Sequence, residues 1–197
     1  MLSPRPLIPF LAAGVVAVAI AGCAIGDDGP RVSQTRDVAG FTRVDNQGSV
    51  DLRLHAGEPQ RVLVLAGEKV IDDVRTEVRD GTLHVSFDHH GFGGGDVAVE
   101  ATVRRLAVVE ASGSGDVDAD GVDAGSLDVR SDGSADIAVQ GAARQLTLDL
   151  SGSGDADLGD LDVRDAQVTI SGSGDAVLRA DRLAQQVDGS GELRRAQ

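Results

Sequence analysis

No tryptophan and no tyrosine occur in the 197 residues, and phenylalanine occurs four times. A core without large aromatics has to be assembled from Val, Leu, Ile and Ala. Such small side chains suit a narrow, regularly layered interior better than one large spherical core. Cysteine occurs once, as Cys23, which excludes an intramolecular disulfide. Basic residues number 18 against 32 acids, so the formal net charge is −14. That balance argues against nucleic acid as a partner, because binding phosphates needs clustered Lys and Arg, and against a basic surface that sits on anionic lipid. The plain role of the charge is solubility. What the chain has in quantity is glycine, with 26 residues, inside a 41% hydrophobic composition of the globular class.

The lone cysteine takes its meaning from its position. Arg5 gives a weakly positive start, and Leu7 to Ala21 form an apolar run broken by Pro9 and Gly14. The run is shorter than the roughly 20 residues a bilayer core demands, and it ends in small residues as cleavage sites do. Residues 1–22 therefore read as an export signal. Ile20-Ala21-Gly22-Cys23 resembles a bacterial lipobox, which implies diacylglycerol on the Cys23 thiol, cleavage just before it and a membrane partner held through lipid. Residues 23–36 read as a lipid-anchored tether, with Gly26, Asp27, Asp28, Gly29 and Pro30 and little apolar content. Ala24 after the cysteine permits outer-membrane delivery in some Gram-negative bacteria.

A folded domain is expected over 37–197, with strands over 37–105 and repeat turns over 106–197. Phe41 to Val44 and Ser49 to Leu54 read as strands, the second alternating Val50, Leu52 and Leu54 against Asp51 and Arg53. Val62-Leu63-Val64-Leu65, inside the strand Gln60 to Ala66, reads as covered on both faces. Gly67 to Val74 reads as a short helical stretch around Val70, Ile71 and Val74. Arg75 to Arg79 and Thr82 to Phe87 flank Asp80-Gly81, a tight-turn pair that predicts a hairpin. Asp88 to Gly95 reads as a loop, and Asp96 to Val103 as a strand.

Ser112-Gly113-Ser114-Gly115-Asp116 then recurs as Asp132-Gly133-Ser134-Ala135-Asp136, Ser151-Gly152-Ser153-Gly154-Asp155, Ser171-Gly172-Ser173-Gly174-Asp175 and Asp188-Gly189-Ser190-Gly191-Glu192. The closing acids lie 20, 19, 20 and 17 residues apart. Seven residues before each of the first four stand Val109, Val129, Leu148 and Val168, and five before stand Ala111, Ser131, Leu150 and Ile170. Glu110, Arg130, Asp149 and Thr169 lie between them. One and three residues after each acid come Val117 and Ala119, Ile137 and Val139, Ala156 and Leu158, Ala176 and Leu178. This is period-two alternation on both sides of a Gly-Ser corner, with a looser return around Val122, Ala142, Leu161 and Leu183. The fold class expected is all-β: a parallel β-helix or β-solenoid of about 20-residue turns whose inward columns form the core. Glycine suits the corner because it accepts φ > 0 and lets corners stack closely, while Ser and the acid can bond the corner backbone.

With these residues in view, the chain resembles the bacterial family called putative auto-transporter adhesin, head GIN domain. The likeness runs from about Asp37 to Glu192. It is carried by Gly40-Phe41-Thr42-Arg43-Val44, Gly48-Ser49-Val50-Asp51, Val70-Ile71, the stretch from Thr76 to Val85 and the Ser-Gly-Ser-Gly-Asp turns. The resemblance implies an exported β-helical domain, often lipid-anchored, and no established activity. The chain departs from the pattern at Ala135, in a turn one residue short, where a kink or bulge is expected.

Three chemistries are weighed. Calcium would suit a column of Asp116, Asp136, Asp155 and Asp175 about one strand spacing apart, but the known calcium β-roll repeats every nine residues or so. Backbone capping fits the acids better. His89 and His90, beside Asp88 and Asp96, suggest a metal site, yet adjacent residues of an extended chain point oppositely and the nearby glycines supply no frame. Hydrolysis needs a nucleophile, a base and an orienting group, whereas these serines recur in step with the corners and His55, His84, His89 and His90 lie outside the repeats. No catalytic residue, metal ligand or cofactor is therefore assigned. The expected function is a non-enzymatic, membrane-anchored envelope protein presenting an acidic, adhesin-like surface to a macromolecule or glycan. The alternatives are a structural or stress-associated envelope module and a carbohydrate-active β-helix enzyme, the last by fold analogy. Oligomeric state is left open by the sequence.

Overall fold

The computed structural model describes residues 18–19, 28–88 and 96–196. Cys23, His89 and His90 lie outside the described residues. The fold is all-β, its one helical feature among the described residues being a single 3-10 turn at Ile71–Asp73. Among the described residues no helix is long and apolar enough to cross a membrane. The strands are β1 (Val18–Ala19), β2 (Arg31–Arg36), β3 (Arg43–Gln47), β4 (Asp51–Ala56), β5 (Arg61–Gly67), β6 (Val74–Arg79), β7 (Thr82–Phe87), β8 (Ala98–Val103), β9 (Val108–Ala111), β10 (Val117–Ser131), β11 (Ile137–Leu150), β12 (Ala156–Ile170), β13 (Ala176–Val187) and β14 (Leu193–Arg195).

The period-two pattern dictates the architecture. β10, β11, β12 and β13 lie parallel and in sequence order, with Val117 opposite Ile137, Ile137 opposite Ala156, and Ala156 opposite Ala176. Past the bend of each long strand, Val129 faces Leu148 and Leu148 faces Val168. Each strand thus contributes one run before its bend and one after, and each run extends a ladder toward the amino-terminal half. The first ladder continues through β4 to β8, and the second through β9 and β3 to β7. All pairings named so far are parallel. Antiparallel strands close the amino-terminal end of both, β5 against β8 with β2 against β5 beyond it, and β6 against β7.

The inward columns read from the sequence form the core. Val109, Val129 and Leu148 have no exposed surface, nor do Val117, Val139, Leu158 and Ile170. Full burial of side chains of this size contributes about 1.5–3 kcal/mol each, so the stacked columns supply most of the driving force. The hairpin forms at Asp80-Gly81, whose φ values of 50° and 74° give the tight turn that joins β6 to β7.

Four expectations are corrected. β5 is covered on one face: Val62, Val64 and Ala66 are buried while Leu63 and Leu65 are half-buried, because its outer face lies on no second layer. Arg31–Arg36, read as the end of the tether, is strand β2 paired along its length with β5. The return is continuous strand, and β10 runs unbroken for 15 residues. Ala142 faces solvent, because Gly141, not Ala142, stands opposite the buried Leu161.

The shortened turn at Ala135 bends no corner. Its missing residue is absorbed where β10 and β11 shift register between Ala119 and Val122. Gly141, with φ of 134°, takes up the slack there. The last turn is likewise shortened at the return, between Leu158 and Asp162 on β12. Corners stay aligned because their backbones are bonded directly to one another.

Candidate functional site

The corner begins with a steric demand. A Cβ on Gly152 would lie 1.8 Å from the Gly133 carbonyl oxygen of the preceding rung, and one on Gly174 would lie 2.0 Å from the Gly154 oxygen. Neither glycine has positive φ, so close approach is the reason for glycine here and the expected left-handed backbone is not. The approach is used at once: Ser153 N–H donates to the Gly133 carbonyl at 2.7 Å, and Ser173 N–H to the Gly152 carbonyl at 3.0 Å. Serine hydroxyls add bonds between rungs, Ser151 Oγ to the Ser131 carbonyl at 3.2 Å and Ser190 Oγ to Ser173 Oγ at 3.1 Å.

The acids complete the corner. Asp116 Oδ1 accepts the Asp136 N–H at 3.1 Å, Asp136 Oδ1 the Asp155 N–H at 2.8 Å, and Asp155 Oδ1 the Asp175 N–H at 2.7 Å. Asp175 Oδ1 then accepts the Glu192 N–H at 2.8 Å. Each carboxylate caps the backbone of the acid that follows it in the column. Bonds to an ionised acceptor are among the stronger hydrogen bonds. They offset the repulsion of like charges one rung apart, somewhat under ~1 kcal/mol per pair in water.

Sequence reasoning missed the first member of the column. Asp51 Oδ1 accepts the Asp116 N–H at 3.3 Å, so Gly48-Ser49-Val50-Asp51 is a corner as well. Its resemblance to Gly113-Ser114-Gly115-Asp116 was available as a signal. The 65 residues that separate the two acids hid the repeat, since strands β5 to β8 are inserted between neighbouring rungs.

At the other end Asp175 also meets Arg194 at 2.8 Å. The Glu192 N–H, and after it the Arg194 guanidinium, hold the Asp175 carboxyl below its ordinary value. Asp116, Asp136 and Asp155 stand exposed. Among the described residues no group of three or more His, Cys, Asp or Glu is placed to hold a metal ion. His55 meets Asp120, and His84 Nδ1 lies 2.9 Å from Asp45 Oδ2, each pair across neighbouring strands and away from the corners.

The same fold occurs in solved structures. A crystal structure described as a putative adhesin from Bacteroides fragilis matches with a TM-score of 0.64 at 16% identity, covering 84% of this chain and 96% of that one. Another, described as a putative adhesin from Parabacteroides merdae, matches with a TM-score of 0.50 at 14% identity, over 87% of this chain and 98% of that one. No curated protein matches the sequence. Residues 40–196 match the family described as putative auto-transporter adhesin, head GIN domain, and the chain belongs to that family.

Proposed function

We propose that the chain is an exported envelope protein, anchored by lipid on Cys23, whose short parallel β-solenoid serves as a non-enzymatic, adhesin-like contact surface for another macromolecule or glycan. The observation that carries this is the corner column. Every acid from Asp51 to Asp175 bonds the backbone of the next rung, so the repeated Ser and Asp residues belong to a rigid frame. The result is a row of carboxylates, one to each rung. Catalysis asks for convergent groups around a reacting atom, and a row suits recognition of an extended partner. Parallel registers of 19 and 20 residues support the solenoid reading, and the family description supports the adhesin reading.

Two measurements in cells producing the full chain test the proposal. Cys23→Ser is expected to move the protein from the membrane pellet to the soluble fraction and to end incorporation of labelled fatty acid. Continued acylation of that variant overturns the anchor. Mild cross-linking in intact cells is expected to trap a discrete envelope partner. Turnover of an envelope polysaccharide by the purified protein, lost on Asp155→Ala, would overturn the non-enzymatic reading instead.

A further inference from the structure

At the bend of the long strands, Gly125, Arg144, Arg164 and Asp181 occupy equivalent places on successive rungs, fixed by their neighbours: Ala124 opposite Ala143, Ala143 opposite Val163, and Val163 opposite Ala180. Two exposed arginines therefore stand one rung apart, about 4.8 Å at the backbone. Four other arginines of the repeats have carboxylate partners, Arg130 with Glu110, Arg179 with Asp162, Arg182 with Asp165 and Arg194 with Asp175, while Arg195 on the last rung has none among the described residues. Among the described residues, Arg144 and Arg164 form no ion pair. What sets these two apart in a chain of net charge −14 is that they stand on adjacent rungs with no carboxylate bonded to either.

Both line an open groove of about 490 Å³. Its apolar floor includes the buried Ala143 and Val163, and Asp123 and Asp181 line it beside the arginines. Gly125 leaves room for the first guanidinium, since a Cβ there would lie 3.2 Å from Arg144 Nη2.

We propose that this groove binds an anionic saccharide, with Arg144 and Arg164 clamping its carboxylate or sulfate group and Asp123 and Asp181 accepting hydrogen bonds from its hydroxyls. A guanidinium presents a planar fork of donors matched to the oxygens of such a group, and two forks on adjacent rungs can share one anion. The flanking carboxylates decide the rest of the ligand. They accept from hydroxyls and repel further negative charge, which favours a sparsely charged glycan over a dense polyanion. With aromatic content at 2%, stacking on sugar rings is scarcely available and charge has to provide the hold. The site lies apart from the corner column. It gives the contact surface a ligand class and rests on the proposed function only for its biological sense.

The test is calorimetric titration of the full-length chain in detergent with three oligosaccharides of equal length, one uronate-containing, one sulfated and one neutral. The expected result is that at least one acidic ligand binds at least tenfold more tightly than the neutral one. Binding of the uronate alone assigns a carboxylate, and binding of the sulfated ligand alone assigns a sulfate. Arg144→Gln with Arg164→Gln is expected to weaken that binding by about ten- to a hundredfold, the loss of charge-assisted bonds, while Asp155→Asn leaves it unchanged. Both arginines are exposed, and an unchanged circular dichroism spectrum checks the fold. Equal binding of acidic and neutral ligands, no binding at low salt, or an equal loss in Asp155→Asn overturns the assignment. A trapped envelope partner alongside any of these outcomes would sink the groove and leave the contact function standing.

Discussion

Ser131 Oγ donates to the Ala135 carbonyl four residues on, at 3.4 Å, and Asn46 Nδ2 donates in the same way to the Val50 carbonyl, at 2.7 Å. The two donors occupy one column of the second ladder, Asn46 beside Ala111 and Ala111 beside Ser131. Val50 and Ala135 are the corners that carry a side chain where the others have glycine, and these same rungs carry a buried polar residue four positions earlier. Rungs with glycine carry Ala111, Leu150, Ile170 or Val187 instead.

Removing either donor should strand a buried carbonyl. Asn46 also reaches the Gly115 carbonyl at 3.2 Å, so Asn46→Leu deprives two acceptors and is expected to cost about 1–3 kcal/mol for each. Ser131→Ala breaks one long bond and should cost about 1 kcal/mol or less. Urea unfolding midpoints rank the two, and a larger loss for Ser131→Ala would contradict the assignment.

Gly152→Ala places a methyl group against backbone that cannot yield without parting two rungs. The expected loss is about 3 kcal/mol or more. Gly81→Ala is the comparison, because a Cβ there meets nothing within 4 Å and only the φ of 74° opposes it. That strain is about 1 kcal/mol. Thermal unfolding of both variants distinguishes crowding from conformational strain.

Asp155→Ala leaves the Asp175 N–H without its acceptor and should cost about 1 kcal/mol, as loss of a capping side chain does. Asp155→Asn keeps an acceptor and lowers the charge of the column, so roughly a few tenths are expected. Equal losses in the two variants, read from denaturant midpoints, would mean that the charge and not the bond matters.

Asp175 gives the column a pH limit. Its carboxyl lies below the ordinary 3.8 because the Glu192 N–H and then Arg194 favour the ionised form. The folded state therefore holds fewer protons on this group than the unfolded state does. Its stabilisation of the last rung is complete above 3.8 and is lost as pH falls from there through the lowered folded value. The Glu192 amide resonance should titrate with a midpoint under 3.8, and Arg194→Gln should move that midpoint upward. A midpoint at or above 3.8 in the parent protein would break the link.

Calcium titration by calorimetry should show no binding tighter than about millimolar, since the column offers a line of carboxylates where calcium takes six to eight or so surrounding oxygens. Micromolar binding abolished by Asp155→Ala would reverse this.

The sequence disclosed the repeating part well because each inward position is stated four times, from Val109 to Val168 and from Val117 to Ala176. Asp51 escaped because its rung is separated from the next by inserted strands, a relationship that exists in space and not along the chain. The role of Gly152 was half legible. Repetition marked it, but whether φ or close approach required glycine depends on the distance to the rung before it. Ala135 looked like a defect when compared with the other corners alone. Paired with Ser131 it is one half of a substitution made twice, and that coupling rests on a hydrogen bond no periodicity reveals. The arginines at the bend were invisible for a similar reason, since neither repeats through the whole array.

Because every corner bond joins a rung only to its immediate neighbours, the height of the molecule is quantised. Duplicating one rung, for example residues 137–155, would extend both ladders by a single step of roughly 4.8 Å while leaving each existing corner its partner on either side. Reach in this architecture is a variable that tandem copying can set, one increment at a time, without redesigning what has already been built.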